Sequence, residues 1–184
     1  MQSNDELFPF ADISDVIRKR RYNLATKRGY LTLLRNILVM TALVLAAFRF
    51  VFSADIAVGS GMYPAVLDGD VAIGYRLGKN YLKNDVVVFD VNNQTVIGRV
   101  VAKGGDNVDI TESGDLYVNG TFQQGEILFQ TFPGKQEYPY TVPEGCVYIL
   151  GDNRTRTYDS REFGAVSLKD IRSKVVYIFR KRGI

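Results

Sequence analysis

Between Leu31 and Phe52 the chain carries 22 residues dominated by Leu, Val, Ala, Ile and Phe. An α-helix crosses a hydrocarbon core with roughly 20 apolar residues, so this stretch is long enough to span. Arg35 and Arg49 flank an uncharged run of only 13 residues, Asn36 to Phe48. Long arginine side chains near helix ends snorkel to the headgroups, which relieves most of that cost. A cleaved secretory signal, a surface amphipathic helix and a buried soluble helix are the rival readings, but no small-x-small site follows cleanly and the charged region before the stretch is long. The reading adopted is a retained transmembrane helix over 31–53, preceded by a basic cytoplasmic segment over 1–30 and followed by an external domain over 54–184. The orientation follows from Arg18-Lys19-Arg20-Arg21 and Lys27-Arg28 lying on the amino-terminal side.

Charge and residue types narrow the chemistry of the rest. Up to Ser53 there are 8 Lys/Arg against 4 Asp/Glu, and from Ala54 onward 15 against 16. The body is close to neutral and offers no basic face for nucleic acid. The sequence has no histidine, which removes Ser-His-Asp and Cys-His hydrolysis and His-based zinc sites. Cys146, the single cysteine, forms no internal disulfide, metal cluster or redox pair and reads as a buried filler. No cofactor and no metal are expected.

After Ser53 the texture becomes β. Val71-Ala72-Ile73, Val86 to Phe89, Val96 to Val101 and Val175 to Phe179 are short and β-branched, with Gly, Asn and Asp clusters between them. Asn107 to Ile110 and Leu116 to Val118 flank a hairpin signal. Gln123 to Tyr140 is weakly patterned and reads as an excursion loop. The fold class expected is mainly β, an antiparallel body of coiled sheets behind one amino-terminal helix. Met1 to Ala11 is polar and acidic, and fraying is expected there.

Two stretches carry the functional signal. Gly59-Ser60-Gly61-Met62-Tyr63-Pro64 precedes Leu67-Asp68-Gly69-Asp70, and far downstream stand Gly151-Asp152-Asn153-Arg154-Thr155-Arg156-Thr157-Tyr158-Asp159-Ser160-Arg161. Alone, the first is an ordinary glycine-rich turn. Together they resemble the boxes of type I signal peptidases, membrane-bound serine proteases whose Ser-Lys dyad removes leader peptides from exported proteins. Asn84-Asp85-Val86-Val87-Val88-Phe89, Leu116 to Gly120 and Arg49 to Phe52 extend the resemblance, which covers about Leu31 to Phe179.

The resemblance implies a nucleophilic serine just before Met62 and a general-base lysine just before Arg99. Gly61 and Gly98 stand there. Glycine offers neither an oxygen nor an amine, so the acylation route is lost and no peptidase activity is expected. Ser60 and Lys103 are the neighbours from which a displaced dyad would be built. Five residues separate Lys103 from Gly98, which sends it to the opposite face of a strand unless a bulge intervenes. Asp152, Asn153, Arg154, Thr157, Asp159, Ser160 and Arg161 are expected to hold the site's loop, with Asp159 and Arg161 as a charge pair.

In the family the groove between the first box and the lysine strand receives an extended chain by strand addition, which depends on backbone groups. Gly59, Ser60, Gly61, Met62, Pro64, Ile97, Gly98 and Arg99 are the groove residues implied, the two glycines leaving extra room. Relatives altered at both dyad positions resemble accessory factors of the SipA type in the sortase-dependent pilus assembly of Gram-positive bacteria. The expected role is thus an inactive, membrane-anchored chaperone or accessory factor. Its partners would be an exported protein, either a pilin or a pilus sortase or both, and the lipid bilayer. The alternative is an active signal peptidase using Ser60 and Lys103, or an engineered inactive variant of one.

Overall fold

The computed structural model describes residues 10–123 and 129–181. The expected fraying of Met1 to Ala11 falls almost wholly outside them. The chain divides into two units, 1–48 and 49–184. Helix α1 runs from Phe10 to Val51, 42 residues, or about 63 Å at 1.5 Å per residue. Within it, Val16–Val51 is long and apolar enough to cross a membrane, by length and composition. The helix therefore continues through the basic segment instead of starting near Leu31.

Phe52 and Ser53, given to the helix by the sequence reading, lie in strand β1 (Phe52–Ile56). Pairing overrides their apolar context. Phe52 stands opposite Tyr75, ring centroids 5.9 Å apart, and the Ser53 hydroxyl meets that of Ser173 at 2.8 Å in the interior.

The second unit is mainly antiparallel β. Its strands are β1, β2 (Val71–Tyr75), β3 (Val86–Val91), β4 (Gln94–Lys103), β5 (Asn107–Ile110), β6 (Leu116–Val118), β7 (Thr121–Phe122), β8 (Tyr140–Thr141), β9 (Cys146–Leu150), β10 (Val166–Ser167) and β11 (Ile171–Phe179). A short helix α2 (Ser160–Phe163) precedes β10. Seven strands form one sheet in the order β1-β2-β11-β3-β4-β9-β10, and four form another, β7-β6-β5-β8. Asparagine makes the tight turns: Asn92 and Asn93 have φ of 49° and 62° between the paired Val91 and Gln94, as a two-residue hairpin loop requires.

Strand β9 sets the core through simple alternation. Tyr148 and Leu150 point with Val101, Val108, Leu116 and Val142 into the layer beside the second sheet. Val147 and Ile149 pack instead with Val87, Phe89, Val100 and Ile171. Each such fully buried aliphatic side chain stabilises by about 1.5–3 kcal/mol relative to exposure. Cys146 is half-buried at the margin of the first layer. In the expected excursion, 124–128 lie outside the described residues, and from 129 no strand forms before Tyr140.

Candidate functional site

Strand β4 pairs unequally with its two neighbours, and a cleft results. Against β3 its pairing runs from Gln94 to Arg99. Against β9 it begins only at Arg99, opposite Leu150. Residues 94–98 thus have no β9 partner on that side. The chain leaves β9 at Gly151 and returns as the 151–161 loop, and a cleft of about 490 Å³ lies between Asp55–Met62, Gln94–Ile97 and Arg156–Tyr158.

Of the residues implied for the groove, Gly59, Ser60, Gly61, Met62 and Ile97 line this cleft. Pro64, Gly98 and Arg99 do not. Pro64 is exposed within the turn. Arg99 is turned to the loop, where its Nε and Nη2 donate to the two carboxylate oxygens of Asp152 at 2.7 and 2.6 Å and Nη1 donates to the Asn84 carbonyl at 3.0 Å.

Gly98 corrects the expectation of extra room. A Cβ there would lie 2.4 Å from Ile149 Cγ2 and 3.2 Å from Phe89 Cε1, so the direction a side chain would take is filled by the core. At Gly61 a Cβ would meet Thr157 Oγ1 at 3.3 Å and nothing closer. A small side chain at Gly61 needs Thr157 to give by only a few tenths of an ångström, whereas one at Gly98 needs buried Ile149 to move much further.

Ser60 is exposed in the cleft, whereas Lys103 ends β4 outside it. A bulge does interrupt β4 between Val100 and Ala102, so the odd-number argument about Lys103 fails. Its position still excludes it: the strand closes there in a turn, Lys103 N donating to Asp106 Oδ2 at 2.8 Å. Among the described residues no lysine lines the cleft. Its basic side chain is Arg156, and a guanidinium does not act as a base at neutral pH.

The downstream box is cross-tied. Arg161 Nε donates to Asp159 Oδ1 at 2.9 Å and Nη2 to Oδ2 at 3.0 Å, both side chains being over nine-tenths buried. Arg161 also donates to the carbonyls of Arg154 and Phe132. Arg154 donates to the Gly151 carbonyl and the Thr131 hydroxyl. Burial pushes the Arg154 guanidinium down to about 10, which leaves it charged at neutral pH. Gly151 N donates to Asp159 Oδ2, and Ile149 N to Ser160 Oγ at 2.9 Å. Asn153 N donates to the Gly61 carbonyl at 3.0 Å, which joins the loop to the first box. Thr157 packs over Gly151, where a Cβ would fall 2.2 Å from its hydroxyl. These bonds fix the loop wall and leave the Thr157 and Tyr158 flank facing the cleft.

The sequence reading missed Asp55, Ile56, Val58, Thr95, Arg156 and Tyr158 as cleft residues. The first three directly precede the glycine turn in an extended run, and that adjacency was the available signal.

The comparisons with known proteins agree on one family. A model of signal peptidase, peptidase S26, matches residues 30–180. The chain is similar to signal peptidase IB of Staphylococcus aureus, 31% identical over 175 residues, 83% of this chain and 91% of that protein. It is also similar to signal peptidase I of Bacillus caldolyticus, 31% over 154 residues, covering 72% and 82%. To the chloroplastic thylakoidal processing peptidase 1 of Arabidopsis thaliana it is 28% identical over 134 residues, 64% of this chain and 39% of that protein. Among solved structures, a signal peptidase I from Enterococcus faecalis V583 is similar at 27% identity, with 53% of this chain and 97% of that one covered and a TM-score of 0.44.

Proposed function

This chain belongs to the signal peptidase family, peptidase S26, and from that premise we propose that it binds an exported polypeptide in its cleft without cleaving it. The observation that carries this reading is the packing at Gly98. Where the family's base would stand, Ile149 and Phe89 fill the space a side chain needs. A lysine there would have to displace core atoms and then hold an amine in an apolar surrounding, which adds overpacking to desolvation. With Gly61 before Met62, neither half of the Ser-Lys pair exists.

Binding is a separate capacity. The 94–98 edge of β4 lacks a β9 partner and borders a cleft, which suits an added strand held by main-chain hydrogen bonds, each worth about 1 kcal/mol net. The role that fits is an accessory or chaperone factor on the outer side of a cell membrane, with a pilin or a pilus sortase as partner in sortase-dependent pilus polymerisation. The spanning segment then anchors the body with the amino terminus in the cytoplasm. A competing reading is an active peptidase with displaced catalytic residues; its support is that the similar proteins are signal peptidases and that Ser60 lies in the cleft, and it needs Lys103, which lies outside the cleft, to move.

Incubation of the full chain in detergent with a preprotein carrying an Ala-x-Ala site separates the two. No cleavage is expected. Cleavage that is lost on Ser60→Ala or Lys103→Ala establishes the displaced pair instead. Capture of pilin or pilus sortase from membranes by the chain, weakened by a bulky residue at Gly61, is the expected positive result.

A further inference from the structure

We infer that Arg172 sets the width of the cleft by bracing two of its walls from behind; this rests on the cleft being a peptide-binding groove. The walls begin on β1 and β4, which are separated in the sheet by β2, β11 and β3. No backbone ladder therefore fixes the distance between them. At the glycine-turn end they meet through apolar packing, Ile97 against the cluster of Ala57, Met62 and Val66. At the Asp55 and Thr95 end they meet through one guanidinium.

Arg172 is the second residue of β11, where the pairing of that strand with β3 shifts register. Ile171 stands opposite Phe89 and Ser173 opposite Val88, which leaves Arg172 as the extra residue between them. Bulges of this kind re-aim a side chain. Here Nη1 donates to Thr95 Oγ1 at 3.0 Å and lies 3.6 Å from Asp55 Oδ1, so a single nitrogen reaches both walls. Nε lies 3.6 Å from Asp90 Oδ2, and Thr95 Oγ1 donates to Asp90 Oδ1 at 2.7 Å. Asp55 is 16% exposed, so its attraction to the guanidinium is less screened than that of an open surface pair.

Asp55 and Thr95 line the cleft on opposite sides, and Arg172 does not line it. The guanidinium stands instead in a neighbouring hollow of about 600 Å³ with Asp90, Asn92, Asn93 and Asp170. It is a positioning residue. A strand added along the 94–98 edge lies about 4.8 Å from β4, and the 55–62 run then flanks its other side. Holding that run in place before binding spares the cost of ordering it afterwards.

Two measurements on the full-length chain in detergent test this. Nitroxide labels at Val58→Cys and Gln94→Cys, with Cys146→Ala, report the wall spacing by electron paramagnetic resonance without any peptide. The distance distribution should be narrow with Arg172 in place, broader in Arg172→Gln, and narrow again in Arg172→Lys. Asp55→Asn should broaden it too, and adding Arg172→Gln to Asp55→Asn should change little more. On unlabelled chain, a fluorescein-labelled neutral Ala/Ser peptide titrated by anisotropy should bind at least about fivefold more weakly to Arg172→Gln, with recovery in Arg172→Lys and an unchanged far-ultraviolet circular dichroism spectrum. An unchanged distance distribution, or equal peptide affinity in Arg172→Gln, overturns the brace and leaves the groove. Should Arg172→Gln unfold, Asp55→Asn decides by the same two readouts. Failure of the unaltered chain to bind the peptide removes the groove reading, and the brace as a determinant of binding with it.

Discussion

Gly61 and Gly98 lack the same thing, a reactive side chain, yet the structure around them differs. Gly61 lies at the cleft surface, with Thr157 Oγ1 as the nearest atom to a built Cβ at 3.3 Å. Gly98 lies within a strand, between Ile149 and Phe89, and its missing side chain has been replaced by core. At the first position a side chain is absent; at the second the volume for one is absent too. A residue on a turn can be lost and regained with little effect on its neighbours, whereas one on a central strand is soon enclosed by repacking.

The comparison can be broken from either side. Gly98→Lys should have the largest effect, a loss of about 4 kcal/mol or more in urea denaturation, since overpacking and a desolvated amine add. A cost below about 1 kcal/mol would show that the core yields and that the two glycines are alike. Next comes Arg161→Ala, at about 3–4 kcal/mol, because Asp159 would be left as an uncompensated buried charge. A near-neutral result would mean that the loop does not depend on this pair.

A smaller effect sharpens the cause. Combining Gly98→Lys with Ile149→Ala should destabilise less than the sum of the single changes by at least about 1 kcal/mol, since the second makes room for the first. Strict additivity would place the strain elsewhere. The smallest effect belongs to Gly61→Ser, within about 1 kcal/mol of the parent by thermal melting. The Gly61→Ser, Gly98→Lys pair should give little cleavage of an Ala-x-Ala preprotein, and vigorous cleavage would show that the lysine finds a cavity after all.

Much of the body was legible because its signals are local. The β-branched runs at Val71, Val86, Val96 and Val175 lie in β2, β3, β4 and β11, and the 107–118 hairpin pairs Ile110 with Leu116. The pairing of Asp159 with Arg161 was expected from the resemblance of the 151–161 box to the family's, and the two side chains do meet. What escaped depends on distant packing. Nothing near Gly98 announces that Ile149, 51 positions away, would occupy its side-chain space. The end of α1 was misplaced by two residues because Phe52 reads as apolar helix until its partner Tyr75 is known. Asp55 carries no local signal of its place in the cleft, which follows only from the fold bringing the end of β1 and the start of β4 to the same recess.

The unequal pairing of β4 has a further effect, on self-association. Unpaired strand edges are templates for aggregation, and proteins usually blunt them with charge, proline or a covering element. The 94–98 edge is protected by shape instead: it lies at the side of a recess walled by 55–62 and 156–158. On the proposed reading these walls would hold a second folded copy, whose edge strand carries its own sheet, away from the edge, and only a single extended chain would enter.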